Sequence, residues 1–253
     1  MKKIIPLLAF ALVSCSFFAS AKQTIAIVGA MDAEIINLLP HIKNKQTITI
    51  GQHHYYQGQI GDHDVVVTRS GVGKVNAAVT TTTLIREFKV AKLIFTGIAG
   101  AASPLLSPTD VVISTALVQH DVDLTVFGNK PGHMDGFDDR YFYANNKLVT
   151  QAFTAAQQVI NQQKVFKGII ATGDQFIADK QKVNFIYNEF NAMAIEMEGA
   201  AVAQVAFMFN KPFVVIRTIS DKADGSAHFD YPKLKQITAD NSVAITLAML
   251  DPR

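Results

Sequence analysis

The sequence predicts one α/β domain: a three-layer sandwich whose central sheet is twisted, mixed and largely parallel, with helices flanking it. Three observations point there. The runs TIAIVGA (24–30), KLIFTGIAG (92–100) and PFVVIRTISD (212–221) are apolar almost throughout, as strands buried on both faces are. Small-residue stretches of helical length, such as KVNAAVTTTTLIREF (74–88) and GAAVAQVAFMFN (199–210), alternate with such runs. No linker, composition break or fixed-period repeat divides residues 22–253.

Taken in order, residues 1–21 stand apart. They join Lys2 and Lys3 to an apolar run and an A-x-A end at 19–21, the pattern of a secretory signal peptide cut before Lys22. The run from Ile4 to Phe18 is short for a membrane span of about 20 residues. Leu12-Val13-Ser14-Cys15 resembles a bacterial lipobox, so a lipid anchor on Cys15 stands as the alternative to free periplasmic export. Lys2 and Lys3 account for the whole formal charge of +2, so the rest is neutral. Cys15 is the only cysteine, and its removal excludes disulfides, a thiol nucleophile and a cysteine–zinc site. A charged fraction of 17% without like-charge blocks speaks against nucleic acid as a partner.

After Lys22, TIAIVGA reads as a buried strand, followed by a helix from Asp32 toward Leu39. ITIGQHHYYQGQI and HDVVVTRS read as antiparallel strands about Gly61-Asp62. KVNAAVTTTTLIREF is a helix, KLIFTGIAG a strand ending in a glycine turn, and DVVISTALV another strand. Residues 120–145 scatter Gly, Pro, His and Asp and read as a long loop. LVTQAFTAAQQVINQ is a helix, and FKGIIATGDQFI (166–177) a strand running into a loop. AMAIEME is a strand, GAAVAQVAFMFN a helix, PFVVIRTISD a strand and YPKLKQITADNSVAITLAML the closing helix.

Several tempting motifs fail on their own spacing. In SGVGKVNAA (70–78) the dinucleotide fingerprint needs Gly or Ala at 76 and finds Asn76. A phosphate-binding loop needs Ser or Thr after Lys74 and finds Val75. A tight turn entering a helix is the better reading. His53 and His54 are adjacent in a strand and point to opposite faces, poor geometry for a metal. His120-Asp121-Val122-Asp123 could bind a cation but reads better as a loop or strand end, and no nucleophile elbow is present.

Three acids remain: Glu34 after the first strand, Glu198 after AMAIEM and Asp221 at the end of VVIRTIS. In an open α/β sheet, ligands bind beyond the carboxyl ends of strands. Capping or pairing with Arg217 explains any one acid, but three at three strand ends ask for more. Paired carboxylates suit cleavage of a glycosidic bond: a protonated one serves the leaving group and an ionised one activates water. Glu196 and Glu198 share a strand face by alternation, with Met197 on the other.

IAIVGAMDAE, SGVGKVNAA, FTGIAG, ATGDQFI, AIEMEGAAVA and VVIRTISDKAD together resemble the 5'-methylthioadenosine/S-adenosylhomocysteine nucleosidases of the nucleoside phosphorylase superfamily, from about Thr24 to near the C-terminus. The resemblance implies that Glu34 activates the attacking water and Asp221 protonates adenine N7. It implies that Glu198 binds the ribose hydroxyls, Met197 packs on the sugar, and Phe176 and Ile177 hold adenine. Gly100 would be a pocket glycine and Arg217 an arginine near the water. Phe127 would be lent to the neighbouring subunit of a homodimer. No cofactor and no metal are implied. Glu196 would be a supporting acid. Two departures stand out: the family often has serine where Ile98 sits, and GNKPGHMDG (128–136) differs from its pattern.

Two other functions stay open at this level. A phosphorylase needs cations around its phosphate, and GAMDAEIINLLP supplies acids instead, although Arg69 and Arg217 exist. A non-catalytic exported nucleoside-binding protein would need neither Glu34 nor Asp221; Ile98 is the residue that leans its way.

Overall fold

A computed structural model describes residues 23–160, 164–223 and 227–251. The leader read over residues 1–21, Cys15 included, lies outside the described residues. The chain runs through β1 (Ile25–Gly29), α1 (Asp32–Ile35), a 3₁₀ turn at Leu39–His41, β2 (Lys43–Ile50), β3 (His53–Ile60) and β4 (His63–Arg69). It continues through α2 (Lys74–Arg86), β5 (Lys92–Ala101), β6 (Val111–Gln119), a 3₁₀ turn at Thr125–Phe127, β7 (Tyr141–Tyr143) and α3 (Asn146–Val159). Then come β8 (Val165–Thr172), α4 (Lys180–Phe190), β9 (Ala192–Glu196), α5 (Gly199–Met208), β10 (Phe213–Asp221) and α6 (Ala227–Leu250).

All the described strands join one sheet. Its outer part is a meander, β2-β3-β4, that hands over to β1 and then β5. From there the sheet closes on itself. β5 pairs with both β10 and β9, and these meet again through β6 and β8. The class expected from sequence holds, with a smaller parallel share. β1 with β4 and β5, β5 with β10, and β8 with β6 and β9 are parallel. The remaining pairings are antiparallel, because hairpins build the outer edge and β9 and β10 enter the ring beside strands of opposite direction. Valine, isoleucine and alanine at β1, β4, β5, β6 and β10 are buried along nearly the whole strand, which is why the runs are continuous rather than alternating. Two helix groups cover the sheet: α6 packs with α1 and α3 on β5 and β10, and α2 packs on α5.

The local differences from expectation have local causes. The helix from Asp32 ends at Ile35 and tightens into i→i−3 turns, and Pro40, which has no N–H to bond Ile36 O, sits in the 3₁₀ turn that follows. The long strand expected over 48–60 is two strands: Gly51 has φ +60° and turns β2 back on β3. Within 120–145, Tyr141–Tyr143 adds a short strand to β6. Helix α4 was passed over in the sequence. Its signals were present: Asp179 accepts a hydrogen bond from Lys182 N, and Val183, Ile186 and Phe190 recur on one buried face.

Candidate active site

The acids singled out in the sequence converge. Glu34, Gly100, Phe176, Met197, Glu198 and Asp221 line one cavity of about 150 Å³, with Met31, Val72 and Ile98 beside them. A contiguous cleft of about 40 Å³ adds Gln175, Ile177 and Ala223. A larger hollow of about 790 Å³ lies between Pro40 and the end of α6, but its titratable side chains, His41, Lys43 and Asp251, are all exposed. Chemistry of the kind the acids suggest needs desolvated groups, which makes the smaller cavity the candidate site.

Glu34 is the third residue of α1 and reaches back over the helix start, as a capping-box glutamate does. Its Oε2 accepts from Ala30 N at 2.6 Å and Met31 N at 2.8 Å, and its Oε1 accepts from Ile98 N at 3.0 Å. Burial pushes its pKa up, against the opposing pull of Arg217 and of the three amides. Backbone must pass very close here. A Cβ on Gly97 would lie 2.5 Å from both Glu34 Oε1 and Arg217 Nη1, so only glycine fits.

Arg217 comes from the middle of β10 and is fully buried. Its guanidinium lies over the Phe95 ring, with Cζ 4.2 Å from the centroid. Nη2 donates to Glu196 Oε2 at 2.5 Å and is 3.8 Å from Glu198 Oε2. The charges of Glu196, Glu34 and Glu198 raise the pKa of Arg217 although its burial works the other way.

Glu198 caps α5, and its Oε1 accepts from Gly73 N at 2.8 Å. Burial first, then the charge of Glu196, push its pKa up to about 8, while Arg217 opposes the rise. SGVGK is the tight turn expected: Gly71 and Gly73 have φ of +84° and +97°, and α2 starts at Lys74. Its contact with Glu198 is an added finding. Met197 departs from simple alternation. β9 ends at Glu196, the chain bends, and Met197 lines the same cavity as the two glutamates.

Asp221 closes β10. Its Oδ1 accepts from Ala223 N at 2.8 Å, and Ser220 Oγ donates to its Oδ2 at 2.7 Å. Gly100 lets this turn approach: a Cβ there would stand 2.8 Å from Ala223 Cβ and 3.1 Å from Asp221 Oδ1. Phe176 is half exposed at the mouth, and Ile177 is buried. Phe127 is the exception. It sits in the 3₁₀ turn after β6, is 78% exposed and is not among the residues lining the cavity.

Sequence reasoning missed several contributors: the Gly73 and Ile98 amides, Ser220, Thr172 and the Phe95 ring. Backbone donors carry no residue signature, so only the fold could reveal the first two. The acids of 120–123 hold loops together: Asp121 accepts from Lys74 Nζ and Asp174 N, and Asp123 accepts from Thr125. Among the described residues no cluster of three His, Cys, Asp or Glu could hold a metal ion. No described helix is long and apolar enough to cross a membrane.

A ring-closed mixed sheet carrying buried acids at its strand ends defines a protein of the phosphorylase superfamily, and the family model of that description matches residues 24–251. A 5'-methylthioadenosine/S-adenosylhomocysteine nucleosidase of Anoxybacillus flavithermus is 41% identical over 230 residues, covering 90% of this chain and 98% of the relative. The solved nucleosidase of the same name from Neisseria meningitidis, in complex with methylthio-immucillin-A, aligns with a TM-score of 0.87 at 35% identity, over 91% of this chain and 100% of that one. The native futalosine hydrolase of Helicobacter pylori aligns with a TM-score of 0.85 at 34% identity, over 90% and 97% of the two chains. The chain belongs to the 5'-methylthioadenosine/S-adenosylhomocysteine nucleosidase family.

Proposed function

We propose that this chain hydrolyses the N-glycosidic bond of 5'-methylthioadenosine and S-adenosylhomocysteine, releasing adenine and the 5-thioribose product. One observation carries the reading: Glu34 is a desolvated acid held by three amides, on a cavity whose lining contains no lysine or arginine. Water approaching that carboxylate is activated, and phosphate is repelled. Arg69 does not change this, because it pairs with Asp32 at the surface. Arg217 lies behind the wall with Nη2 paired to Glu196, so its charge is already balanced by a buried acid.

Asp221 delivers a proton to adenine N7, so the base leaves neutral while positive charge develops at C1' of the ribose. Water adds to C1', and its proton passes to Glu34. The raised pKa of Glu34 makes it a stronger proton acceptor than an ordinary carboxylate. Glu198 takes the ribose hydroxyls, Met197 packs on the sugar, and Phe176 and Ile177 hold the base. Ile98 contributes its amide to Glu34 whatever its side chain, which tempers the departure from serine.

The enzyme works as a homodimer in this reading. Phe127 is supported as a residue for the partner's site by its exposure and its absence from its own cavity. Val75, Val79, Phe207 and Met208 on α2 and α5 are also exposed, an apolar surface that a second copy would cover. Export to the periplasm rests on residues 1–21, with a lipid on Cys15 as the alternative anchor.

The test is adenine release from methylthioadenosine by residues 22–253 in phosphate-free buffer. Release that needs added phosphate would make the protein a phosphorylase. Binding without release would make it a carrier. Parallel assays with adenosylhomocysteine and a futalosine-type nucleoside rank the 5'-substituents.

A further inference from the structure

We propose that Glu196 is a positioning residue for hydrolysis: it grips one nitrogen of Arg217 so that the other is presented, beside Glu34, to the attacking water. The inference rests on the nucleosidase reading above.

The geometry begins with an imbalance. Arg217 Nη2 is tied to Glu196, but its Nη1 and Nε are fully buried and have no hydrogen-bond partner among the described residues. A buried, unpaired guanidinium nitrogen is costly. Nη1 and Glu34 Oε1 both press on the Gly97 backbone from the same side, each 2.5 Å from where a Cβ would stand. An oxygen seated between them would satisfy Nη1 and give its proton to Glu34.

Nothing in the arginine itself selects that orientation. Glu198 Oε2 stands only 3.8 Å from Nη2, and Glu34 competes from α1. Glu196 decides the contest because, of the three acids, it is the one hydrogen-bonded to Nη2, and it is itself held from three sides. Its Oε1 accepts from the Thr172 hydroxyl, and its Oε2 accepts from Glu198 N at 3.1 Å and Gly199 N at 2.7 Å. Thr172 is fixed in turn by Ala200 N at 2.8 Å. The carboxylate is therefore seated on the first amides of α5, where an anion is favoured. A buried ion pair adds little net stability by itself. Its use here is to set the direction of Arg217 over Phe95 and to absorb charge that would otherwise go to Glu34 and Glu198.

The charged groups around Arg217 are Glu34 from α1, and Glu196 and Glu198 from the β9–α5 junction; His120, just past the end of β6, feels the charge of Glu196. With Glu196 neutral, Glu34 and Glu198 would lose a repelling neighbour or gain a larger share of Arg217, and their pKa values would fall.

The experiment measures adenine release from methylthioadenosine by Glu196→Gln, Glu196→Asp and Thr172→Val across roughly pH 5 to 9, with the parent alongside. Glu196→Gln is expected to lose about 100-fold in kcat with KM within a few-fold, as misplacement of a reacting group does. The acid limb of its kcat/KM profile moves to lower pH. Glu196→Asp restores that limb and part of kcat. If Glu196→Gln does not fold, Thr172→Val keeps every charge while removing the hydroxyl that anchors Glu196 and accepts from Ala200 N; a several-fold loss in kcat with an unmoved acid limb is expected. A folded Glu196→Gln with the parent's kcat and pH profile, or a change in thermal stability alone, overturns the proposal. So does a Thr172→Val with unchanged kcat. A parent that releases no adenine would instead refute the nucleosidase reading on which the proposal stands.

Discussion

Replacing Glu34 by glutamine keeps the size of the side chain and removes its basicity. The carboxylate makes three bonds, two at Oε2 and one at Oε1, all with backbone donors. An amide has a single acceptor oxygen. Turned toward Ala30 and Met31, it keeps two of the bonds and sets its NH₂ against the Ile98 amide. That leaves the Ile98 N–H and the new side-chain NH₂ without acceptors, at about 1–3 kcal/mol each. Relief from burying a carboxylate offsets part of it. The melting temperature should therefore fall by about 5–15 °C, since 1 kcal/mol shifts a domain of this size by about 2–4 °C. Catalysis should fall much further, by about 10²–10⁴ in kcat, the usual share of a general base. The pH profile adds a sign. The base must be unprotonated, so the parent's kcat/KM rises with pH through the raised pKa of Glu34, and the variant loses that limb. Steady-state adenine release and thermal unfolding on the same preparations decide it. A well-folded Glu34→Gln enzyme within tenfold of the parent would refute the assignment of Glu34 as proton acceptor.

Gly97→Ala places a methyl 2.5 Å from both Glu34 Oε1 and Arg217 Nη1, so it should abolish measurable turnover and lower the melting temperature together. Glu198→Gln tests linkage. The pKa of Glu198 rises on folding from 4.5 to about 8, so its contribution is full below the lower value and fades as pH climbs through the upper one. Urea midpoints of the parent should accordingly fall between those values, and those of the variant should fall less. Phe127→Ala should leave stability unchanged, because the ring is exposed in its own subunit. With the ring serving a partner's pocket as proposed, the KM for methylthioadenosine rises roughly tenfold, the loss of one aromatic contact. Val75→Asp, on the exposed face of α2, should shift the protein toward monomer in sedimentation.

The sheet was legible because burial on both faces writes itself as uninterrupted Val, Ile and Ala, and β1, β5, β6 and β10 fall where those runs do. Ring closure was not legible, since pairing of β5 with both β9 and β10 depends on curvature that no single strand encodes. Helix α4 went unread although Asp179 and its apolar spacing announced it; the residues around it lack the small-residue look of the other helices. In the site, side-chain chemistry was readable: Glu34, Glu198 and Asp221 stand out as acids where apolar strands end. What holds them was mostly invisible, because Ala30, Met31, Gly73 and Ile98 act through their main chains. Glu196 fell between the two. Its presence was noted, but its grip on Arg217 required knowing that β9 and β10 face each other across the ring.

The closed ring of β5, β10, β6, β8 and β9 has an implication for variation. It carries Glu196, Arg217 and Asp221 on strands each paired on both sides, and Glu34 leans against it through Ile98. The turn holding Phe127 and the stretch GNKPGHMDG lie outside it, among the connections between β6 and β7. In the proposed reading, bond-breaking falls to strands hydrogen-bonded on both sides and tail recognition to a connecting loop. Under the proposed function, a lineage built this way can retune which 5'-substituent it accepts while the cutting apparatus stays untouched, and 128–136 is the first place to look for such a change in this chain.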